Sequence, residues 1–145
     1  MTVGDYIQLA DTEIHFNVPD DKKNRWRSLL KTSFDIPLWA VREAKPAKGH
    51  YPFLIYAPSD SSVSWENVDL CEYLASHGYV VLASPSIGVS TREMTDDLDG
   101  TNAQAGDITF LITYAGSLPD TNLSKVAVVS WSWGGISSLF ASARD

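Results

Sequence analysis

The chain has 145 residues, 44% of them hydrophobic and 11% aromatic, enough for the buried core of one domain and too many for a disordered segment. A net charge of -7 and a pI near 4.8 exclude a nucleic-acid partner, whose phosphates require a basic patch. The single cysteine, Cys71, excludes an internal disulfide, and His15, His50 and His77 lack the close pairing of a metal-binding motif.

In chain order, Thr2 and Asp5 form a capping box that opens a helix over 3–14, with Tyr6, Leu9, Ala10 and Ile14 spaced along it. After Pro19 the stretch from Asp20 to Lys31 predicts a second helix, acidic at its start, with Trp26, Leu29 and Leu30 as its apolar side. Leu38 to Arg42 reads as a strand, and Lys45-Pro-Ala-Lys-Gly49 as the turn beyond it. Phe53 to Ala57 is apolar throughout, as in a strand buried on both faces.

From there strands and helices alternate. Glu66 to Ser76 predicts a helix stopped at Gly78, with Cys71 packed on its apolar side. Tyr79 to Ala83 is a strand, and Ala103 to Ala115 a helix with Ile108, Leu111, Ile112 and Ala115 on one face. Val126 to Val129 is the last strand, and Gly134 to Ala143 a helix whose apolar face is Ile136, Leu139, Phe140 and Ala143. This order implies an α/β fold, a mostly parallel sheet with helices on both faces. No linker divides the chain, so one domain over 1–145 is expected, with a helical segment over 1–35 and the sheet core over 36–145.

Val126 to Ala143 carries no charge, but its serines and glycines favour strand, turn and helix over a membrane span. Met1 to Tyr6 is polar and no apolar signal region follows. A soluble, cytoplasmic protein is the default expectation, secreted or periplasmic if an earlier N-terminus carries a signal peptide.

The stretch Val126-Ala-Val-Val-Ser-Trp-Ser132-Trp-Gly134-Gly135 has the strand–turn–helix setting of a nucleophile elbow, G-x-S-x-G, with Ser130 in the first glycine position. The spacing puts Ser132 at the apex, where a strained backbone lifts its hydroxyl clear of the sheet. The positions two before and two after must be small, because larger side chains would collide across the turn.

Three further stretches accompany the elbow: Tyr51-Pro-Phe-Leu-Ile-Tyr-Ala-Pro-Ser59, Glu66 to Val81 with its Leu-Ala-Ser-His-Gly-Tyr helix end, and Ser84-Pro-Ser-Ile-Gly88. Together they resemble the dienelactone hydrolase and platelet-activating-factor acetylhydrolase branch of the α/β-hydrolases over roughly residues 50–145. The resemblance implies a three-layer hydrolase-type sheet truncated after the elbow helix. It also implies a serine hydrolase of a small-molecule ester, lactone or thioester, working through an acyl-enzyme on Ser132 without metal or organic cofactor. In such enzymes one oxyanion-hole N–H comes from the residue after the nucleophile, here Trp133, and one from the loop after the first core strand, here Asp60. The family usually has Gly at position 130, and often Gly in the loop Pro58 to Ser62, which has none.

The acid and histidine of the triad follow the nucleophile in this family, and His15, His50 and His77 all precede Ser132. The chain by itself is therefore expected to be inactive. The alternative is a non-catalytic α/β-hydrolase-like module that binds a ligand or partner. A nucleotide site is disfavoured, since no G-x-G-x-x-G follows the strands. The uncharged Val126–Ser130 run is expected to form an unprotected sheet edge, so self-association is expected too.

Overall fold

A computed structural model of the protein describes residues 1–144. The chain divides into two compact units, Met1–Ala44 and Lys45–Asp145.

The first unit is built on two helices. Helix α1, Val3–Glu13, opens with the expected capping box: the Thr2 side chain accepts from Asp5 N–H while the Asp5 carboxylate accepts from Thr2 N–H. That backbone hydrogen bond from Thr2, helped by the nearby Arg42 guanidinium, holds the Asp5 carboxyl below its usual range against the opposing effect of desolvation. Helix α2, Asp20–Leu30, runs into a single 3-10 turn over Lys31–Ser33. Ile7 and Ala10 are buried, Trp26 and Leu30 are half-buried, and the rings of Trp26 and His15 meet edge to face at 5.2 Å. Leu29, expected on the apolar side of α2, is instead 76% exposed.

Residues 38–42 do not form the expected strand. Pro37 makes one isolated antiparallel bridge to Thr2, Val3 N–H donates to Ile36 O, and Leu38 N–H donates to Met1 O. The segment thus spends its backbone groups capping the start of α1, then turns at Glu43, whose φ of 55 ends any extended run. Residues 36–44, which form no helix, belong to the same compact unit as α1 and α2.

The second unit is a mixed α/β arrangement. Strand β1, Tyr51–Ala57, lies between β2, Val80–Ala83, and β3, Thr121–Ser130, and pairs with both in parallel, giving the order β2-β1-β3. Helix α3, Val68–Ser76, joins β1 to β2; α4, Leu98–Ala115, joins β2 to β3; and α5, Trp133–Ser142, follows β3. The period-2 alternation of β1 sends Phe53, Ile55 and Ala57 to one face, where they pack with Ala105, Ile108, Leu111 and Ala115 of α4 and Ala141 of α5. Leu54 and Tyr56 are buried on the other face, where Tyr56 reaches Glu66 and Asn67 at the start of α3. A central strand covered on both sides must be apolar throughout, and Phe53 to Ala57 is.

Two element starts lie well ahead of the sequence reading. α4 begins at Leu98 rather than Ala103, because Asp97 caps it, accepting from Asp99 N–H and Gly100 N–H at 3.0 Å each. Gly100 is required inside that first turn: a Cβ there would lie 1.8 Å from Thr95 O. β3 begins at Thr121 rather than Val126, with Asn122 opposite Pro52 and Val126 opposite Phe53, so Leu123 to Lys125 bulge out of register. Among the described residues no helix is long and apolar enough to cross a membrane.

The core should report directly on stability. Ile55→Ala is expected to cost ~2–5 kcal/mol in urea unfolding, by lost transfer energy and the cavity left. Val89→Ala, at a side chain 83% exposed, should stay within about 0.5 kcal/mol.

Candidate active site

β3 ends at Ser130 beside Ala57, and Trp131 N–H donates to Ala57 O at 3.1 Å. The chain then reverses through Ser132 into α5. Ser132 has φ 50 and ψ -118, a combination that costs a non-glycine residue on the order of 1–3 kcal/mol. It sits at the N-terminus of α5, and its hydroxyl caps no backbone group. Gly134 N–H donates to Trp131 O and Gly135 N–H to Ser132 O, closing the turn at 3.0 and 2.9 Å.

The turn is tight because it lies on the end of β1. A Cβ on Gly134 would be 2.2 Å from Ala57 O and 2.6 Å from Pro58 O, so no side chain fits there. Gly135 is different: a Cβ would lie 3.8 Å from Ser130 Oγ, an ordinary contact. Ser130 in the first elbow position therefore has its hydroxyl beside the open face of Gly135.

Trp133 is the first residue of α5, and its buried indole Nε1 has no hydrogen-bond partner among the described residues. Asp60 is exposed in the loop after β1. Adjacent strands bring Ser132, Trp133 and the Pro58–Ser62 loop to the same, C-terminal end of the sheet, the usual place for ligands in open α/β sheets. His50 precedes β1, and His77 follows α3 just ahead of β2, so both lie toward the opposite end. β1 alone spans 7 residues, or about 20 Å at ~3.3 Å each. His77 Nδ1 lies 2.8 Å from Tyr73 O in its own helix, with the two rings 4.1 Å apart.

Three residues that support this end of the sheet were not singled out from the sequence. Glu66, expected to open a helix, instead turns back on the loop: its carboxylate accepts from Ser59 N–H at 3.0 Å, from Ser59 Oγ, and from Tyr56 Oη at 2.9 Å. Burial alone would raise the Glu66 pKa, but hydrogen bonds from Ser59, Tyr56 and Ser62 outweigh it and hold the carboxyl below its usual range. The Tyr56 phenol is pushed up to about 12, by burial first and also by the adjacent Glu66 charge, against a hydrogen bond from Asn67 that lowers it. From the other side, Gln104 Nε2 donates to Pro58 O at 2.7 Å, and Ser86 N–H donates to Ser62 O at 2.8 Å. Gln104 and Ser86 are themselves buried, and Gln104 Oε1 and Ser86 Oγ have no partner among the described residues. The signal for Gln104 was present in the sequence: an amide on the apolar stripe it shares with Ile108, Leu111 and Ala115. Cys71 takes no part, since burial, aided by Glu72, pushes its thiol up to about 11 and keeps it protonated at neutral pH.

Two outcomes follow from this geometry. Gly134→Ala is expected to destabilise by roughly 1–3 kcal/mol through overpacking, whereas Gly135→Ala should be neutral or gain up to about 1 kcal/mol of helix propensity in chemical denaturation. Because the folded pKa of Glu66 is depressed, its stabilisation is present above the unfolded value of ~4.3 and is lost as pH falls through the lower folded value. Glu66→Gln should thus lower stability at pH 7 by on the order of 1 kcal/mol, after solvent screening of this half-buried group. The gap between variant and wild type should close in urea titrations repeated at successively lower pH.

No protein-family model matches the chain, and no curated protein matches it. Among solved structures, the chain is similar to one described as DcsB in complex with its substrate analogue, at 29% sequence identity and a TM-score of 0.58. The similarity covers 67% of this chain and 34% of DcsB, so the chain matches about a third of that protein's length.

Proposed function

We propose that the second unit is the nucleophile-bearing part of an α/β-hydrolase-type serine hydrolase, acting on an ester, lactone or thioester through an acyl-enzyme on Ser132. The observation that carries this reading is the backbone of Ser132, a non-glycine residue at φ 50 and ψ -118 between a parallel strand and a helix N-terminus. Strain of this kind persists where the surroundings enforce it, and here the close packing of Gly134 on β1 does so. Similarity to a protein solved with a substrate analogue agrees with a ligand-binding fold.

In this reading Ser132 Oγ attacks the carbonyl carbon and its proton passes to a general base. The carbonyl oxygen becomes an oxyanion, held by the N–H of Trp133 and an N–H of the Pro58–Ser62 loop, for which Asp60 is the candidate. Collapse expels the alcohol or thiol, which takes that proton from the base, and leaves the acyl group on Ser132; water that gives a proton to the same base then attacks the acyl carbon, releasing the acid as the proton returns to Ser132 Oγ. An oxyanion-hole donor contributes ~3 kcal/mol in such steps. The loop that offers one is held by Glu66, Gln104 and the Ser86 N–H. Serine is a weak nucleophile without an adjacent base, and neither His50 nor His77 is placed to serve.

With p-nitrophenyl esters, the chain should show no turnover above Ser132→Ala, since loss of the base costs several orders of magnitude. With imidazole supplied as external base, a fluorophosphonate probe should place its adduct on Ser132 and leave Ser130 unmodified. Peptide mapping reads the result. Adduct on Ser130, labelling that survives Ser132→Ala, or no adduct at all would overturn the assignment, the last favouring a non-catalytic binding module.

A further inference from the structure

Two serines of this unit carry a left-handed backbone. Ser132 is the one at the elbow; Ser61, in the loop after β1, has the same φ of 50. A residue with a Cβ rarely adopts this conformation, because the Cβ crowds its own backbone. The loop is held on both sides of Ser61. Ahead of it, Gln104 Nε2 donates to Pro58 O, and the Glu66 carboxylate accepts from Ser59 N–H at 3.0 Å and from the Ser59 hydroxyl. Behind it, Ser62 O accepts from Ser86 N–H at 2.8 Å, and the Ser62 hydroxyl donates to Glu66. With both neighbours fixed, the chain must turn within Asp60 and Ser61, and the left-handed conformation persists.

The same bonds decide which N–H groups the loop has left to offer. Pro58 has none, and that of Ser59 is spent on Glu66. Asp60, Ser61 and Ser62 remain. In a turn that passes into a left-handed residue, successive N–H groups point to one side and make a concavity that holds an anion. Asp60 and Ser61 form the turn, and Ser61 supplies the left-handed step. The loop also starts against the elbow: Trp131 N–H donates to Ala57 O, and a Cβ on Gly134 would lie 2.6 Å from Pro58 O.

We propose that Ser61 is a positioning residue, whose left-handed backbone gathers the N–H groups of Asp60, Ser61 and Ser62 into the loop half of the oxyanion site. This rests on the reading of Ser132 as the nucleophile. The ligand is the tetrahedral oxyanion of the acyl-transfer step, met from the helix side by Trp133 N–H. The Asp60 carboxylate is exposed, so water screens its charge from that oxygen. The loop does without glycine because Glu66, Gln104 and Ser86 N–H hold a serine where glycine would sit unstrained.

Fluorophosphonate labelling of the full chain, with imidazole as base, tests the assignment. Ser132 Oγ displaces fluoride from phosphorus, imidazole takes the proton, and the phosphoryl oxygen of the adduct stands in for the oxyanion. In the wild type, adduct formation should move the amide proton resonances of Asp60 to Ser62 downfield. That of Ser59, already bound to Glu66, should stay. Ser61→Val, whose branched side chain disfavours a left-handed backbone, should slow labelling on the order of 10²-fold, the effect of losing one oxyanion-hole donor. Ser61→Gly, which takes up the same φ without strain, should restore most of the rate. Circular dichroism establishes that each variant is folded, and the wild-type resonances decide the matter without any variant. An adduct that leaves the Asp60 to Ser62 resonances in place would overturn this inference alone. So would a folded Ser61→Val that labels at the wild-type rate. No adduct on the wild type would overturn the reading of Ser132 and this inference with it.

Discussion

Everything at the C-terminal end of the sheet depends on how closely α5 approaches β1. The carbonyl oxygens of Ala57 and Pro58 occupy the space where a side chain at position 134 would lie. With that contact made, β3 must end at Ser130, the chain must reverse within Trp131 and Ser132, and Ser132 must take up its left-handed backbone conformation. The exposed hydroxyl, the free helix N-terminus behind it and the small-residue underside of α5 are consequences of one missing Cβ. Strain at Ser132 is sustained because relieving it would separate helix from sheet.

The same end of β1 is held from two directions by polar groups. Pro58 O is bound by Gln104 from α4, and Ser59 is bound by Glu66 from the segment before α3. These contacts fix the backbone course of an irregular loop that hydrophobic packing alone would leave free to vary. Glu66 in turn depends on Tyr56, whose phenol keeps its proton at neutral pH and so remains a donor. A residue of the buried strand thereby sets the charge environment of the loop that follows it.

Much of the fold was legible in the sequence where local pattern and tertiary demand coincide. The apolar run at Phe53–Ala57, the capping box at Thr2 and the alternation of strands and helices after residue 50 all have one physical solution. The failures share a cause too. Leu38 to Arg42 is composed like a strand but has no strand to pair with, and its backbone goes to the start of α1. The apolar spacing of Ile136, Leu139 and Phe140 marks a face of α5 that stays exposed, because a steric requirement at Gly134 fixes the rotation of the helix. At the candidate site, Ser132 was visible through its neighbours' sizes. Gln104 left one signal, an amide on an apolar stripe, whereas Glu66 and Ser86 left none, because their partners are loop residues that only the fold brings within reach.

The bulge in β3 divides that strand into two mechanically separate parts. Thr121 and Asn122 continue the pairing with Tyr51 and Pro52, anchored where Thr121 Oγ1 donates to Ala115 O, while Val126 to Ser130 carry the register that leads into the elbow. Leu123 to Lys125 lie between them, exposed and tied locally where Ser124 N–H donates to the Asn122 side chain. A change of chain length at this point need not propagate to Ser132, because the downstream register is set afresh at Val126 opposite Phe53. The bulge is therefore a natural splice point, where an inserted loop, tag or reporter would leave the geometry of the elbow in place.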